Sequence, residues 1–568
     1  MIADSSTVQM GPIHSEFVTF TNRAGKKLAG FIDHLGEKIG KRPWAVIAPK
    51  FGETKKNGLQ LAYSLAANGL NVLRFDHTNH VGESGGDQKY FTLASGAVDI
   101  LSCGDYLEQV CGVKQYTLVA NSLSARTAIR AAAGDPRITH LVCLVGVVNL
   151  QHTLREIYRA DLVGGYQTGQ RWGVGDMLGV EMDYDTFLDS AVAENMHDLV
   201  GTREDLMRMK AKISFYAAER DSWVLLSDVE VSLRDLPKAR LVAIPDAMHE
   251  LRENAQVADQ AFRAIATACV AHARGVGPEK VTLEPVDKRQ MLQQNRVERE
   301  RLRKSSKENE DERDFWAKYL AKYRLLQNVD DYRDYLNIVG RLLGTIKSGE
   351  IVLDAGCGNG LFGLWVVRAL LEQVALSDAP PVYVGLDLTI EGLRDAADIQ
   401  TGYTLGHIRT ASERRQHLVG LLYGQTDLDT WGLPASEAPG LVVFGDNTFD
   451  KACCSLVLSY LNRPQDVVTE LYRVLKPGSR VVISSMKPFC DMSEIYRDFM
   501  GQQVSETDLE SGRDLLRAAG KIRMKEEHGH YTFFSGEELT AMLTAAGFKS
   551  CETHTSFGGQ AVIVAAGK

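Results

Sequence analysis

The sequence predicts an α/β protein of two domains, each with a mainly parallel sheet covered by helices. Short β-like runs alternate with helix-length amphipathic stretches from Trp44 onward, and a second series of this kind begins at Ile351. Such alternation is typical of parallel sheets, because helical connections return the chain to the same edge of the sheet. The chain has 568 residues. A single hydrophobic core rarely organises that length, so two domains of about 250 residues each are expected.

The first series can be followed element by element. The β-like runs WAVIAP, NVLRFD and YTLVAN are separated by a helix around Gly58 to Asn68 and another around Leu93 to Val110. The fully apolar run LVCLVGVV follows, as expected for a strand buried on both faces. Residues from about 150 to 210 break the rhythm and predict a helical insertion. The strand-like runs ISFYAAE and RLVAIP resume it, and a last helix is expected to end near His272.

A charged segment separates the two series. Residues 274–312 open with the sequence GVGPEK after Arg274, and their second half, RVERERLRKSSKENEDE, is poor in apolar residues. Such a segment buries little surface and is expected to be solvated, either as a charged helix or as a flexible tether. The predicted domains are therefore residues 1–273 and 313–568, joined by a linker.

Composition limits the classes of partner. Apolar residues make up 44% and charged residues 24% of the chain, and the net charge is -9 without a basic stripe. Nucleic acid is not expected as a partner, because phosphate binding needs clustered Lys and Arg.

The nine cysteines are scattered, which indicates reduced thiols and no metal site. No signal-like start is present and the longest apolar run, Leu141 to Val148, is too short to span a bilayer, so we expect a cytoplasmic protein.

A candidate catalytic triad lies in the first series. Ser122 lies in YTLVANSLSARTAIRAAA, a β-like run, a turn of small residues and a helix, with Ala120 and Ser124 in place of the glycines of G-x-S-x-G. Such a turn exposes a nucleophilic serine. Asp221 follows ISFYAAE and His249 follows RLVAIP, in the order serine, acid, histidine. The pattern predicts that His249 deprotonates Ser122 while Asp221 orients the histidine. The alternative is a helix-capping aspartate and a surface histidine.

The same region resembles the acyl transferases of bacterial bioluminescence over roughly residues 14–270. The resemblance is carried by APKFGE, RFDHTNHVGESGG, VANSLSAR, VGVVNL, ERDSWV and MHEL. It implies an α/β-hydrolase fold with a helical cap, an A-x-S-x-S turn whose serine is acylated, and release of a fatty-acyl group from a thioester of acyl-carrier protein or coenzyme A. It also implies an oxyanion hole made by the backbone N–H groups of Leu123 and Phe51.

The second series opens with a glycine-rich turn. The segment IVLDAGCGNG carries Asp354 followed by Gly356, Gly358 and Gly360, which let the backbone approach a ligand closely at the first sheet turn. A glycine loop alone is also compatible with a dinucleotide. Asp354 before the first glycine argues against it. The next strand, PVYVGLDL, ends in Asp387, placed to accept both ribose hydroxyls.

This half resembles class I S-adenosylmethionine methyltransferases over about residues 313–568, which implies a Rossmann-like fold and that cofactor. The resemblance implies that the glycines cradle the methionine portion while Asp387 holds the ribose. Asp427 in YGQTDLDTW is a candidate partner of the adenine amino group, with Leu428 beside it. The stretches on either side of Asp387 are longer than usual, one of them through an inserted LSDAPP.

The methyl acceptor is less defined by sequence. His528, His530 and Tyr531 precede FFSGEEL in a region that often lines the acceptor pocket, although each is also compatible with packing. Together the two halves predict a bifunctional biosynthetic enzyme that acts on a fatty-acyl or polyketide-like chain. The alternatives are an oxygen-ester hydrolase fused to an unrelated methyltransferase, and a scaffold with one silent domain that binds a carrier protein. The order of methylation and acyl release stays open, as do hydrolysis versus transfer, the methylated atom and the oligomeric state.

Overall fold

The computed structural model describes residues 12–252, 254–305, 312–373, 379–407, 419–431, 433, 444–490 and 506–568. The chain divides into two compact units. The first runs to Ser306 and includes Glu527–Gly529, and the second comprises the remaining residues from Lys307. Among the described residues, no helix is long and apolar enough to cross a membrane.

The first unit contains an eight-stranded sheet and a separate two-stranded hairpin. Its strands are β1 Ile13–Thr21, β2 Lys27–Leu35, β3 Trp44–Ala48, β4 Asn71–Asp76, β5 Tyr116–Asn121, β6 Ile138–Leu144, β7 Val174–Met177, β8 Val180–Asp183, β9 Lys212–Ala218 and β10 Ala239–Ile244. Its helices are α1 Leu59–Ala67, α2 Leu93–Cys111, α3 Leu123–Gly134, α4 Leu150–Tyr158, α5 Leu162–Gln167, α6 Tyr184–Ala193, α7 Leu199–Arg208, α8 Leu226–Leu233, α9 Ala255–Arg274 and α10 Lys288–Ser305.

The sheet order is β1-β2-β4-β3-β5-β6-β9-β10. Strand β2 pairs antiparallel with β1 and β4, and the remaining pairs are parallel. This is the α/β-hydrolase arrangement, so the predicted fold class of the first unit is confirmed. Its parallel strands end at one edge of the sheet, which brings the turns after β3, β5, β9 and β10 together.

The insertion predicted for residues 150–210 is largely helical, with α4 to α7 as expected. It also contains the hairpin β7–β8, which the sequence did not reveal. Helix α9 ends at Gly275 in the left-handed conformation, with φ 66°, close to the predicted end.

Of the two forms expected for the linker, the charged helix is present as α10, and the chain up to Ser306 belongs to the first compact unit. Val281 and Leu283 pack against the core beneath α9, and helix α10 contacts the first unit. On α10, Glu298 accepts hydrogen bonds from both terminal nitrogens of Arg74, at 2.8 and 2.9 Å, and Arg74 is fully buried. The helix docks through this buried ion pair, which a search for an apolar stripe does not detect. Residues 306–311 of the predicted linker lie outside the described residues.

The second unit contains a seven-stranded sheet of order β13-β12-β11-β14-β15-β17-β16, in which only β17 runs antiparallel to its neighbours. The strands are β11 Ile351–Ala355, β12 Val382–Asp387, β13 Gly420–Gln425, β14 Phe449–Cys454, β15 Leu475–Met486, β16 Lys549–Ser556 and β17 Ala561–Gly567. The helices are α11 Glu312–Tyr323, α12 Asp330–Leu343, α13 Leu361–Gln373, α14 Ile390–His407, α15 Pro464–Val474, α16 Glu506–Glu527 and α17 Gly536–Ala546.

Chain order reverses between β11 and β14 in this second sheet, where a crevice opens at the carboxyl ends of the strands. This topology confirms the Rossmann-like fold predicted for the second half. Two core clusters flank the sheet, one of them rich in aromatic residues from α11 and α12.

Candidate active sites of the two units

Ser122 lies at a strained turn between β5 and α3. It has φ 50° and ψ -124°, a conformation that residues other than glycine rarely adopt. Hydrogen bonds hold the turn: the Ser122 N–H donates to the Leu144 carbonyl, and the Ser122 carbonyl accepts from the N–H groups of Ala125 and Val147. The sheet and helix therefore fix the direction of the serine side chain, as in a nucleophile elbow.

The three predicted triad residues form one hydrogen-bonded chain. Ser122 Oγ lies 2.7 Å from His249 Nε2, and His249 Nδ1 lies 2.7 Å from Asp221 Oδ2. The other carboxylate oxygen of Asp221 accepts from the N–H groups of Trp223 and Val224, at 2.9 and 3.0 Å. All three triad residues are buried. The arrangement lets His249 take the serine proton while Asp221 holds the imidazole in one tautomer.

The two residues predicted for the oxyanion hole lie on the turns that follow the neighbouring strands β5 and β3. Leu123 is the first residue of α3, where an N–H has no acceptor within the helix. Phe51 follows β3 in a neighbouring turn, and both side chains are buried. Two N–H groups at such positions suit a developing oxyanion.

Three side chains pin the turn that carries Phe51. Ser124 Oγ donates to the Pro49 carbonyl at 2.5 Å, the Gly52 N–H donates to His80 Nε2 at 3.1 Å, and Lys50 Nζ donates to Glu250 at 2.5 Å. Burial lowers the pKa of His80 to about 3, so its ring is neutral and can accept this bond. Apart from the serine that replaces the second glycine of the elbow, no sequence signal indicated this bracing.

Polar residues near the serine turn stabilise the neighbouring loops. Asp76 accepts from both the backbone N–H and the side-chain ammonium of Lys55, at 2.7 and 2.6 Å. His77 faces Asp99 at 3.3 Å and Ser124 at 3.4 Å.

In the second unit, the glycine-rich turn joins β11 to α13. Gly356, Gly358 and Gly360 have φ values of 83°, 53° and 79°, which favour glycine. A Cβ on Gly356 would lie 2.3 Å from Val457, and one on Gly360 would lie 2.5 Å from Ala396. Glycine is therefore favoured at all three positions by the positive φ angle. At Gly356 and Gly360 it is also required because Val457 and Ala396 leave no room for a Cβ atom.

A cavity of about 470 Å³ opens at this turn, on the crevice side of the sheet. Its lining contains the acids and glycines predicted for the cofactor, Gly360 excepted, together with a group of aromatic side chains. The lining includes Glu312, Trp316, Leu320, Asp354, Gly356, Gly358, Asn359, Asp387, Asp427, Leu428, Asp429, Tyr460, His530 and Tyr531.

Two buried carboxylates face each other across the turn. Asp387 accepts from the Gly358 N–H at 2.8 Å and from Thr389, which ties the end of β12 to the glycine turn. Burial raises the pKa of Asp387. Burial also raises the pKa of Asp354 to about 7, although Tyr383 donates a hydrogen bond to its Oδ2 at 2.7 Å. Asp354 Oδ1 is buried and has no hydrogen-bond partner among the described residues.

Asp427 and Leu428 follow β13 and also line the cavity. Asp427 caps a short helix by accepting from the Asp429 N–H at 2.9 Å, and burial raises its pKa. Leu428 is buried. The unusually long stretch between Asp387 and Asp427 falls partly on residues 408–418, outside the described residues.

The predicted acceptor-site residues are only partly brought together. His530 and Tyr531 line the cavity, whereas His528 is not among its described lining residues. Tyr531 donates to Glu312 at 2.5 Å. The sequence prediction missed Glu312, Trp316 and Tyr460. A helical spacing of acidic and aromatic residues along α11 could have revealed the first two, because such positions share one face.

The lining fits the cofactor implied by the sequence. The buried Oδ1 of Asp354 and the carboxylate of Asp387 at the end of β12 can accept hydrogen bonds from the amino and hydroxyl groups of a ligand. The glycine turn leaves space for such a ligand to approach the backbone closely. A dinucleotide phosphate fits less well, because the described lining contains no lysine or arginine.

Comparison with known proteins finds a similarity for each half. Residues 36–304 match a family model described as "Acyl transferase", and residues 327–553 match one described as "Methyltransferase domain". An acyl transferase of Photobacterium phosphoreum is 29% identical over 228 residues, which cover 40% of this chain and 74% of the relative. One of Aliivibrio fischeri is 28% identical over 281 residues, covering 46% and 88%.

Solved structures with some likeness include the esterase Est1E of Butyrivibrio proteoclasticus with ferulic acid bound, at a TM-score of 0.39 and 18% identity, over 45% of this chain and 99% of that one. A monoacylglycerol lipase of Paleococcus ferrophilus has a TM-score of 0.34 at 18% identity, over 46% and 99%.

The N-terminal half is thus an acyl-transferase-like domain of the α/β-hydrolase fold, and the C-terminal half is a methyltransferase domain. The chain is a fusion of two enzymes, and the resemblance predicted for each half is confirmed. A methyltransferase domain implies a methyl donor.

Proposed function

We propose that this chain is a bifunctional biosynthetic enzyme acting on a fatty-acyl or polyketide-like chain. The first unit takes the acyl group from a thioester of acyl-carrier protein or coenzyme A onto Ser122. The second unit transfers a methyl group from S-adenosylmethionine to the chain or to its released product. The observation that carries the proposal is the continuous hydrogen-bonded chain from Ser122 through His249 to Asp221.

The geometry supports a two-stage acyl transfer. Ser122 Oγ attacks the thioester carbonyl as its proton passes to His249 Nε2, and Asp221 stabilises the imidazolium. The N–H groups of Phe51 and Leu123 receive the negative charge that develops on the carbonyl oxygen. His249 then protonates the leaving thiolate, and water or another acceptor, activated by His249, releases the acyl group.

In the second unit, bound S-adenosylmethionine would supply an electrophilic methyl group. Gly356 and Gly358 would admit its methionine portion to the backbone, and Asp387 would accept the ribose hydroxyls. Asp354 Oδ1 would accept from the amino group, while Asp427 and Leu428 would hold the adenine. Methyl transfer then depends chiefly on in-line positioning of the acceptor.

The first experiment follows the acyl group. Incubation of the wild-type protein with octanoyl-coenzyme A should yield an octanoyl adduct on Ser122, detected by mass spectrometry of the intact protein and its peptides. Ser122→Ala should abolish the adduct and leave S-adenosylmethionine binding unchanged, because the nucleophile and the glycine turn belong to separate units. An unaltered thioesterase rate in the variant would refute the assignment. Turnover of p-nitrophenyl octanoate without turnover of any thioester would favour an oxygen-ester hydrolase.

The second experiment tests the methyl donor. Asp387→Ala should weaken S-adenosylmethionine binding by about 1–3 kcal/mol, the loss typical of a hydrogen-bonded charged partner. The control is Asp450→Ala on β14, which removes an ion pair with Lys476 away from the cavity lining. Equal affinities of the wild-type and Asp387→Ala proteins in calorimetry would show that the ribose is held elsewhere. No binding to the wild-type protein would support the silent-domain alternative.

A further inference from the structure

The cavity of the second unit has an aromatic end that is separate from the glycine turn. Helix α11 runs along the cavity, and the Leu320 carbonyl accepts from Asn359 of the turn at 3.4 Å. Glu312 and Leu320 are the first and last residues of α11 that line the cavity. A rise of ~1.5 Å per residue puts them about 12 Å apart along the helix axis. The Glu312 end is therefore distinct from the place proposed for the methionine portion of the cofactor.

Three aromatic rings surround this end. The Trp316 and Tyr460 ring centroids lie 4.5 Å apart at an interplanar angle of 48°, and those of Tyr460 and Tyr531 lie 5.0 Å apart at 65°. The Trp316 and Tyr531 centroids lie 6.2 Å apart. Glu312 Oε2 accepts from Trp316 Nε1 at 3.1 Å and from the Tyr531 hydroxyl at 2.5 Å. One carboxylate thus fixes the orientation of two rings.

The electrostatics of the cavity oppose an anionic acceptor. Its described lining contains five carboxylates, Glu312, Asp354, Asp387, Asp427 and Asp429, and no lysine or arginine. Two nearby cations offset part of this charge: Lys525 forms an ion pair with Glu312 at 2.6 Å, and the positive charge of Arg313 interacts electrostatically with Asp427. Carboxylates still outnumber these cations, so a free carboxylate entering the cavity would be repelled and a cation attracted.

The protein itself already holds an alkylammonium against the same groups. Lys525 Nζ donates to Glu312 Oε1 and lies 4.7 Å from the centroid of Phe315 and 5.3 Å from that of Tyr531. Ammonium groups bind favourably over aromatic faces. A carboxylate offers about four acceptor positions, so Glu312 keeps capacity for a further donor beyond Lys525, Trp316 and Tyr531.

We infer that the aromatic end of this cavity binds an amine, and that the group methylated is a primary or secondary amine on an apolar body. The inference rests on the proposed methyltransferase function. The bound ammonium first loses one proton to water, which frees the lone pair of its nitrogen. The amine nitrogen then forms a bond to the methyl carbon of S-adenosylmethionine while the carbon–sulfur bond breaks with its electron pair left on sulfur, and the product is a methylammonium. Methylation of a released carboxylic acid is disfavoured by the same carboxylates.

The test compares three probes with the same six-carbon body: hexylamine, heptanoate and hexan-1-ol. Each is titrated by calorimetry at 0.15 M salt into the full-length protein saturated with S-adenosylhomocysteine. Hexylamine should bind at least tenfold more tightly than heptanoate and hexan-1-ol, and incubation with S-adenosylmethionine should give N-methylhexylamine by mass spectrometry. Heptanoate or hexan-1-ol binding as tightly as hexylamine, or no binding of the amine, overturns the inference.

Matched variants locate the binding to these rings. Tyr460→Leu should weaken hexylamine binding about tenfold, and Tyr460→Phe, which keeps the ring, should stay within threefold of wild type. S-adenosylhomocysteine affinity within twofold of wild type shows that each variant is folded, and the pair Trp316→Leu and Trp316→Phe provides the same comparison if either Tyr460 variant fails to fold. Equal amine binding by the leucine and phenylalanine variants contradicts the assignment. Failure of the wild-type protein to bind S-adenosylhomocysteine would contradict the proposed function itself.

Discussion

At the scale of single residues, the first unit depends on hydrogen bonds made around the serine turn as well as on the triad. Ser122, Asp221 and His249 lie on turns after three different parallel strands, and their 2.7 Å contacts require those turns to keep their positions. Ser124 and Lys50 brace the neighbouring turn that carries Phe51. The bracing residues are therefore expected to affect the rate of acyl transfer without touching the substrate.

Ser124→Ala should lower kcat for hydrolysis of a short acyl thioester on the order of tenfold while KM stays within twofold. The variant removes the hydroxyl that donates to the Pro49 carbonyl, and a lost buried hydrogen bond costs roughly 1–2 kcal/mol, or about tenfold in rate if it acts on the transition state. Steady-state kinetics with octanoyl-coenzyme A measure both constants.

The control for this variant is Ser232→Ala. Ser232 is also buried and donates to a backbone carbonyl, that of Asp228, but within helix α8. Its kcat should equal that of wild type. A Ser124→Ala protein that loses thermal stability but keeps kcat would show that the bond supports folding and not the oxyanion turn. Restoration of kcat in Ser124→Thr would support positioning by the hydroxyl.

A pH-dependent stability is expected from Asp354. Burial raises its pKa from 3.8 to about 7, so the folded state binds its proton more tightly than the unfolded state does. Protonation of Asp354 therefore stabilises the folded state. This stabilisation is fully present below about pH 4, is lost as the pH rises to about 7, and remains lost at higher pH. Asp354→Asn removes the ionisation and keeps an acceptor for Tyr383.

The unfolding midpoint of Asp354→Asn relative to wild type should rise between pH 5 and pH 8. Calorimetry of the ligand-free chain measures it, with the second unit's transition identified as the one that S-adenosylhomocysteine shifts. Asp450→Asn, which alters an ion pair at the surface, should show no such trend. A constant difference between the Asp354→Asn and wild-type midpoints across this range would argue against ionisation of Asp354 near neutral pH.

At the scale of elements, helix α10 shows how a polar segment can belong to a folded unit. Arg74 on β4 is fully buried between Asp33 on β2 and Glu298 on α10. Breaking a buried ion pair by removing one partner is strongly destabilising, because the remaining charge is left without compensation. The helix thus completes a charge network that begins in the sheet.

Glu298→Ala should lower the free energy of unfolding of the first unit by about 3–5 kcal/mol. The matched control on the same helix is Glu300→Ala, whose partner Lys304 is exposed, and which should cost at most about 1 kcal/mol. Chemical denaturation of the full-length protein, followed through loss of thioesterase activity, measures the transition of this unit. Equal effects of the two substitutions would mean that α10 does not stabilise the sheet.

At the scale of the whole molecule, one chain contains two compact units that resemble two different classes of enzyme. Each unit has its own sheet and its own core clusters. The proposed advantage of the fusion is that a product of one unit stays at high effective concentration near the other.

Cutting the chain near Ser306, a position outside the described residues, should yield two soluble halves with unchanged single activities. The first half must retain α10, because Glu298 neutralises buried Arg74. The coupled rate of acyl release and methylation should fall on separation, since the tether no longer supplies effective concentration. The measurement compares mixed halves with the intact protein at low micromolar concentration. Equal coupled rates would refute direct passage of a product from one unit to the other. An insoluble half would refute independent folding of the two units.

The sequence by itself determined the class of each half and identified the candidate site residues. Alternating β-like and helical runs predict parallel sheets, and Ser122, Asp221 and His249 follow strands in a fixed order. The glycine turn is likewise readable, because its glycines lie close together in the chain and their positive φ angles favour glycine. These signals are readable because each depends on residues adjacent in the chain.

Only the tertiary structure decided which distant polar groups meet. Glu298 reaches Arg74, Ser124 reaches Pro49, and Glu312 orients Trp316 and Tyr531, in each case across separate elements. Hydrogen bonds and ion pairs of this kind are set by three-dimensional proximity and leave no periodic pattern along the chain. Apolar periodicity reports hydrophobic burial, so it did not indicate that α10 docks on the first unit through a buried charge pair.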